Sequence, residues 1–339
     1  MTDMNVLNRI VRTSAWPILL CIVMAIAIGA CTPPSLLITP VSSRRELVET
    51  ELSRDAAFTR SKIALIDVSG VIQNAASSSF FSDGEHAVSL FVEQLDKARR
   101  DPAVKAVVLR INSPGGTVVA SELMHDEISE FRRGGKPVIA VMMDVAASGG
   151  YYIACACDEI YAQPSTITGS IGVVMLLVDV SGTMMKIGLK ADAITSGPHK
   201  DTGSPFRAMR PEERELFEKI VQDMYGRFVK VVDEGRPKLD EAAVRKLADG
   251  RVYTASQALE AGLIDRIATL RDAIAAAKER AGAKSARVVA YHRPYSYRPN
   301  YYAQAPVDST GDINLLKMNW PSDLLPASPQ FLYLWRPGS

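Results

Sequence analysis

Apolar and polar positions change period regularly along the chain, from strand-like runs to helix-like spacing. Several runs rich in isoleucine, leucine and valine are typical of buried strands. After the first of them, "HAVSLFVEQLDKARR" places Val88, Phe91, Leu95 and Ala98 on one helical face. Strands that alternate with helices predict parallel βα units, and hence an α/β fold. The predicted strands are "KIALIDVSGVI", "VKAVVLRIN", "PVIAVMMDV", "EIYAQ" and "IGVVMLLV".

Other segments predict the remaining helices. "VASELMHDEISEFRR" follows the second strand, and a short helix is expected after Ser148. "PEERELFEKIVQDMYGRFVKVVDEGR" predicts a long amphipathic helix with Pro211 in its first turn, a position that proline favours. Further on, Thr254 is suited to cap a helix that Gly262 ends.

The N-terminal region departs from the globular pattern. Arg9 and Arg12 precede an uncharged apolar run over residues 15–30, shorter than the roughly 20 residues that a spanning helix needs. A basic flank before such a run is typical of a signal peptide. The run ends in "IGAC", which resembles the lipobox of bacterial lipoproteins, where the cysteine, here Cys31, is lipidated. An uncleaved N-terminal membrane anchor is the alternative. Both place most of the chain on the extracytoplasmic side of a bacterial cell membrane.

Composition divides the chain into four parts. The targeting segment covers residues 1–31, and Pro/Ser-rich sequence that turns charged predicts a tether over residues 32–60. The alternating elements fill a domain over residues 61–285. A Tyr/Pro-rich tail over residues 286–339 ends in the apolar "PASPQFLYLWRPGS". Such a run is an aggregation hazard when exposed, so we expect it to bind protein. The host is either a peptide groove, by strand addition, or a remote surface, as an assembly contact.

Charge and cysteine content narrow the functional classes. The formal net charge is +1, which gives no indication of a nucleic-acid partner. The four cysteines do not form the paired spacing of a zinc site. We find no metal-binding or nucleotide-binding motif, and we expect no cofactor.

Two turns carry candidate chemistry. In "RINSPGGTVVASEL", a strand meets Gly115 and then a helix, so the backbone N–H groups of this turn could stabilise an oxyanion. In "MMDVAASGGYYIACACD", a strand delivers Ser148 to the start of a helix, followed by Gly149. Ser148 is either a helix N-cap or a nucleophile with its hydroxyl exposed at the strand end, where the next N–H faces developing charge. The two turns could face one carbonyl group.

A nucleophilic serine needs a base, and the chain has only four histidines. None of the four, His86 included, lies in the strand-rich stretch just after Ser148, and His292 lies in the tail. His125 lies among polar positions of its helix and is expected at the solvated surface. His199 and Lys200 share the loop "TSGPHKDTGSPF". Lys200 acts as a base only when it is neutral, which requires burial in an apolar site.

Five motifs together resemble the signal peptide peptidase A (SppA) family of bacterial serine peptidases. They are "INSPGG", "VAASGGYYIA", "TGSIGV", "SGPHKD" and "YTASQALEAGLID", in the order and spacing of the short, single-unit form. The resemblance covers about residues 62–265. It implies a ClpP/crotonase-like fold, a spiral of repeated ββα units. It also implies hydrolysis of apolar peptides, such as cleaved signal peptides, through an acyl-enzyme.

The resemblance also implies roles for single residues. Ser148 corresponds to the nucleophile and Lys200 to the general base. Ser170 corresponds to the serine that orients the lysine. The N–H groups of Gly115 and Gly149 correspond to the oxyanion hole.

One departure from the family pattern is His199, which directly precedes Lys200 and is a second candidate base. The chain has one copy of each motif, and short members of the family form rings. The resemblance therefore implies a homo-oligomeric ring in which Ser148 and Lys200 of adjacent subunits meet. Two alternatives are an acyl-CoA enzyme of the same fold and a non-catalytic membrane scaffold. The export segment and Lys200 count against the first, and the intact Ser148, Ser170 and Lys200 against the second.

Overall fold

The computed structural model describes residues 46–73, 87–293 and 331–335. The predicted targeting segment, Cys31 and His86 lie outside these residues. The strands are β1 Val48–Arg54, β2 Lys62–Ser69, β3 Val104–Ser113, β4 Gly115–Thr117, β5 Val138–Ala147, β6 Glu159–Ala162, β7 Ile167–Gly169, β8 Val174–Met175, β9 Val252–Thr254, β10 Arg266–Ile267, β11 Arg287–His292 and β12 Phe331–Leu334. The helices are α1 Ala87–Arg100, α2 Val118–Arg133, α3 Gly149–Ala154, α4 Ser181–Lys186, α5 Pro211–Gly235, α6 Glu241–Leu247, α7 Ala255–Glu260 and α8 Leu270–Arg280.

Most of the strands form one mixed sheet in the order β1-β11-β2-β3-β5-β6-β10, and β7 joins β5 to β9. The neighbours from β11 to β10 are parallel, whereas β1 pairs antiparallel with β11 and β9 with β7. The α/β class with a mostly parallel sheet is therefore confirmed.

The central strands are apolar on both sides because both faces of the sheet are covered. In β2, Ile66 and Val68 contribute to one core cluster, and Ile63 and Leu65 to the other. This alternation follows from the two-residue period of a strand. The first cluster includes buried side chains of α1, α2, α3 and α5, whereas α8 supplies the second.

The elements that the hydrophobic pattern predicts are present in the structure, with one exception. Pro211 begins α5, and Thr254 caps α7 with a capping box. Gly262 has a φ of 74° after the end of α7, the left-handed conformation that glycine adopts after a helix. The predicted strand "IGVVMLLV" is wrong over most of its length, because only Val174–Met175 pairs with another strand. Val174, Leu176 and Val178 of this run are exposed. The run is therefore apolar without being buried in the sheet.

The sheet extends beyond the predicted domain limits of residues 61 and 285. Strand β1 lies in the segment predicted as a tether, and β11 lies in the segment predicted as a tail. These two strands pair with each other, and β11 also pairs with β2. Their partners are distant in sequence, so local composition did not reveal them.

A second, three-stranded sheet has the order β4-β12-β8. Strand β12 comes from the C-terminal tail and lies between two strands of the domain. Within the ranges that the structure describes, no helix combines the length and apolarity needed to cross a membrane.

Candidate active site

Ser148 lies between the end of β5 and the start of α3, with a φ of 53° and a ψ of −116°. It is 1% exposed. Its N–H donates to the carbonyl oxygen of Gly169 at 2.7 Å, and its own carbonyl accepts from the N–H of Tyr152 at 2.8 Å. The side chain forms no capping hydrogen bond with α3. Ser148 therefore occupies the N-cap position of α3, but its hydroxyl does not cap the helix, and the N-cap interpretation of this hydroxyl is wrong.

A positive φ at a non-glycine residue costs of order 1–3 kcal/mol and persists where the surrounding structure enforces it. Two hydrogen bonds hold the backbone of Ser148 in this conformation, one from its N–H to β7 and one from α3 to its carbonyl oxygen. The hydroxyl makes no capping hydrogen bond with α3, and Ser148 lines a cavity. Nucleophilic serines of other hydrolases lie on sharp strand-to-helix turns of this kind.

Gly115 and Gly149 lie against each other beside Ser148. A methyl group added to Gly115 would overlap the carbonyl oxygen of Tyr333 and lie 2.7 Å from the amide nitrogen of Gly149. Gly115 also has a φ of 101°, so only glycine suits this position. The N–H of Gly149 opens α3, where the helix supplies no acceptor. The N–H of Gly115 donates to the hydroxyl of Ser113 at 3.1 Å, so this N–H has a partner within the chain.

Ser170 follows β7 and has a φ of 50°. Its N–H donates to the carbonyl oxygen of Arg251 at 2.8 Å. Strands β5 and β7 are parallel, with Ala147 opposite Gly169, so Ser148 and Ser170 follow equivalent positions. Both serines line one cavity of about 420 Å³.

Lys200 and His199 are exposed in a segment of turns between α4 and α5. Neither residue lines the cavity that contains Ser148 and Ser170. A single chain thus brings Ser148, Ser170, Gly115 and Gly149 together at one edge of the sheet, but it does not bring Lys200 to them.

The residue after Lys200 anchors this loop to the start of α5. Asp201 accepts hydrogen bonds from Arg207 at 2.7 Å and Arg210 at 3.0 Å. Both arginines also pair with Glu213, which is 1% exposed. The hydrogen bonds from Arg207 lower the pKa of Glu213 to about 2. Sequence analysis missed this cluster, although Glu213 stands three residues after Arg210, the spacing of a capping box.

The cavity opens beside a groove that holds part of the tail. Residues 331–335 lie in it in extended form, and Leu334 and Trp335 line the cavity together with Ser148. The N–H of Trp335 donates to the carbonyl oxygen of Pro114 at 2.8 Å. The expectation that the tail binds protein by strand addition is confirmed, and its place is the groove next to Ser148.

The expectation that His125 is solvated is wrong. Its side chain is 16% exposed, and its ring meets the ring of Tyr152 edge to face with centroids 5.2 Å apart. Burial lowers the pKa of His125. The residue lies one helical turn after the fully buried Ser121, so it borders the packed face of α2.

Comparison with known proteins places the chain among serine peptidases. The profile of Peptidase family S49 matches residues 130–284. An Enterococcus faecium protein named "Putative signal peptide peptidase SppA" is 37% identical over 242 residues, which are 71% of this chain and 70% of that protein. "Protease 4" of Salmonella typhi is 37% identical over 228 residues, 67% of this chain and 36% of that protein.

A plant relative shows the same extent of similarity. "Serine protease SPPA, chloroplastic" of Arabidopsis thaliana is 37% identical over 245 residues, 71% of this chain and 36% of that protein. The chain thus spans about a third of the two longer relatives and more than two thirds of the Enterococcus protein. It is a serine protease and belongs to peptidase family S49, the family of SppA and Protease 4.

Proposed function

We propose that this protease is a membrane-associated endopeptidase that hydrolyses apolar peptides bound in extended form, such as cleaved signal peptides. Ser148 is the nucleophile. The observation that carries this proposal is the position of Ser148. Its strained turn leaves the hydroxyl free of the helix cap, beside a groove that pairs with an extended peptide. A groove that pairs with peptide backbone favours a peptide over an acyl-CoA substrate.

The reaction proceeds in two steps. Neutral Lys200 accepts the hydroxyl proton as the Ser148 oxygen attacks the scissile carbonyl carbon. The N–H groups of Gly149 and Gly115 stabilise the oxyanion, and the second of these must exchange its hydrogen bond to Ser113 for one to the oxyanion. The carbon–nitrogen bond then breaks, and Lys200 returns the proton to the leaving amine. Water, deprotonated by the same lysine, then attacks the acyl carbon, the bond from this carbon to the Ser148 oxygen breaks, and Lys200 returns the proton to that oxygen.

We further propose that Lys200 reaches Ser148 of a neighbouring copy in a homo-oligomeric ring, where Ser170 orients it. The exposure of Lys200 in the single chain supports this arrangement. The segment around Lys200 also leaves large apolar side chains exposed, which is typical of a surface that other protein covers. These residues are Met185, Ile187, Leu189, Ile194 and Phe206.

The location and the finer fold are part of the same proposal. The basic flank and apolar run of residues 15–30 support attachment to a bacterial cell membrane, with the catalytic domain on the extracytoplasmic side. The anchor is either a lipid on Cys31 or the N-terminal segment itself. Consecutive parallel strands β2, β3 and β5, covered by helices, support the ClpP/crotonase-like spiral.

Mixed assemblies test the proposed site. Full-length Ser148→Ala and Lys200→Ala proteins, each expected to be inactive alone, are co-expressed with different tags, and doubly purified assemblies are assayed with an apolar peptide. Partial activity is expected, because some sites then combine an intact Ser148 with an intact Lys200. Inactive mixed assemblies would rule out the shared site. Activity of Lys200→Ala alone would show that another group is the base.

A further inference from the structure

The loop that carries Lys200 is exposed up to that residue and is held by the fold directly after it. Residues 191–200 are exposed except for Gly197, whereas residues 201–204 are partly buried. Lys200 is thus the last exposed residue before the loop meets the rest of the fold. The place of its amine therefore depends on how the next residue, Asp201, is held.

One guanidinium group joins Asp201 to the long helix α5. Arg207 donates from Nε to the carboxylate of Asp201 at 2.7 Å and from Nη2 to the carbonyl oxygen of the same residue at 3.1 Å. Its Nη1 donates to the carboxylate of Glu213 at 2.9 Å. Glu213 is buried in the first turn of α5. Arg207 thus fixes both the side chain and the main chain of Asp201, which the single ammonium group of a lysine could not do at once.

Two further contacts hold the backbone that follows Asp201. Gly203 has a φ of 79°, and a methyl group added to it would lie 3.1 Å from the ring of Phe217 in α5. The carbonyl oxygen of Pro205 accepts from the N–H of Val180, next to the start of α4, at 2.8 Å. The segment after the base is therefore held between α4 and α5.

The charges of this cluster balance without Lys200. Asp201 and Glu213 face Arg207 and Arg210, and each of the four ion pairs joins an arginine to a carboxylate. None of these four pairs includes Lys200. An unpaired carboxylate beside Lys200 would favour its charged form, which cannot accept a proton. The cluster therefore holds the loop without presenting such a carboxylate to the base.

We propose that Arg207 and Glu213 are positioning residues for the general base. Through Asp201 they fix the place of Lys200, so that its amine reaches the Ser148 hydroxyl. The inference rests on the proposed function, since it treats Lys200 as the base. Neither residue lines the cavity beside Ser148, so peptide binding does not depend on them. Loss of the bridge should lower kcat about 10- to 100-fold with KM unchanged, because a base displaced by about 1 Å transfers the proton far more slowly.

Steady-state kinetics of full-length variants test the bridge. Arg207→Ala removes it, and Arg207→Lys keeps the charge but cannot join both carboxylates, so both should lose kcat with KM unchanged. Arg214→Ala, at an exposed position of the same helical turn, is the matched control and should keep the wild-type kcat. Tm and the oligomer size are measured in parallel. The Lys variant keeps the test decisive where the Ala variant does not fold. A wild-type kcat in folded Arg207→Lys, or a raised KM with kcat unchanged, would overturn the proposal.

Mixed assemblies separate a positioning role from a structural one. In assemblies of Arg207→Lys with Ser148→Ala, some sites combine an intact Ser148 with a correctly held Lys200, so activity should rise well above that of either variant alone. In assemblies of Arg207→Lys with Lys200→Ala, no site combines the two, and activity should stay low. A residue that only stabilises the fold would not distinguish these partners. Equal recovery with both partners would therefore overturn the proposal.

The same measurements distinguish failure of this inference from failure of the proposed function. An inactive Lys200→Ala protein together with fully active Arg207 variants would refute the positioning role alone. An active Lys200→Ala protein would refute Lys200 as the base, and with it the reason for the bridge. Glu213→Gln, at the other end of the bridge, should show the same loss of kcat below its Tm, to a smaller extent because its amide oxygen still accepts a hydrogen bond.

Discussion

The amide of Ser148 donates to the carbonyl oxygen of Gly169 at 2.7 Å, which joins the ends of two parallel strands. Because Ala147 lies opposite Gly169, the next residue on each strand is a serine. Both serines have positive φ angles, 53° for Ser148 and 50° for Ser170. The two side chains are therefore positioned as one unit by the register of the sheet.

Because the backbone of Ser148 is strained, replacing this residue with glycine should increase stability and abolish activity. Ser148→Gly should raise the free energy of unfolding by about 1 kcal/mol. Glycine adopts this φ without a steric cost, and the larger entropy that glycine loses on folding offsets part of that gain. Ser148→Ala should not gain this stability, and both variants should lose peptidase activity. Denaturant unfolding and a peptide assay measure the two effects. Equal stability of the Gly and Ala variants would show that Ser148 is not strained.

The identity of the base predicts a ranking of variants at two adjacent positions. Lys200→Arg should be as inactive as Lys200→Ala, because a guanidinium group does not deprotonate in proteins. His199→Ala should retain most of the activity and is the matched control in the same turn. Steady-state kinetics on purified assemblies give the ranking. The reverse order would identify His199 as the base.

Glu213 predicts a pH dependence of stability. Its pKa falls from an ordinary value of 4.5 to about 2 in the folded protein. A lowered pKa contributes stability that is present above about pH 4.5 and is lost as the pH falls toward 2. Glu213→Gln should therefore lower Tm at pH 7 and flatten the dependence of Tm on pH in this window. Glu212→Gln, in the same helical turn, should leave the dependence as it is. Parallel pH profiles for wild type and Glu213→Gln would contradict the assignment.

The position of the tail predicts competition with substrate. Deletion of the residues after Pro326 removes β12 and frees the edge of β4, so the apparent KM for peptides should fall. Size-exclusion chromatography should show an unchanged oligomer. A lost oligomer with the same KM would instead make the tail an assembly contact.

Cys31 lies outside the described residues, and its lipidation stays a prediction. Cys31→Ser should block maturation and leave a longer precursor in the cell. Mass spectrometry of the N-terminus of the membrane fraction measures this. An unprocessed N-terminus in the wild type would favour the uncleaved anchor.

Local pattern predicted much of the fold and part of the site. The runs that became β2, β3 and β5, and the spacing in α1 and α2, record burial directly, because burial follows the period of each element. In α5, only Phe228, Val229 and Val232 of the apolar residues are buried. Glycine and serine at the ends of β3 and β5 likewise marked the turns where Gly115 and Ser148 meet. The sequence did not predict strands β1 and β11. They pair across more than 200 residues, and pairing at that distance leaves no local period in the sequence.

The tertiary structure alone decided three relationships. It placed Lys200 away from Ser148 in the single chain and tied its loop to Glu213 through arginines. It turned His125 toward the ring of Tyr152. It also packed Tyr333 against Tyr152 and Phe228, whereas the sequence determined only that the apolar tail needed a host. Each of these depends on which helices and loops the sheet order brings together. Periodicity records the burial of a residue but not the identity of its neighbours.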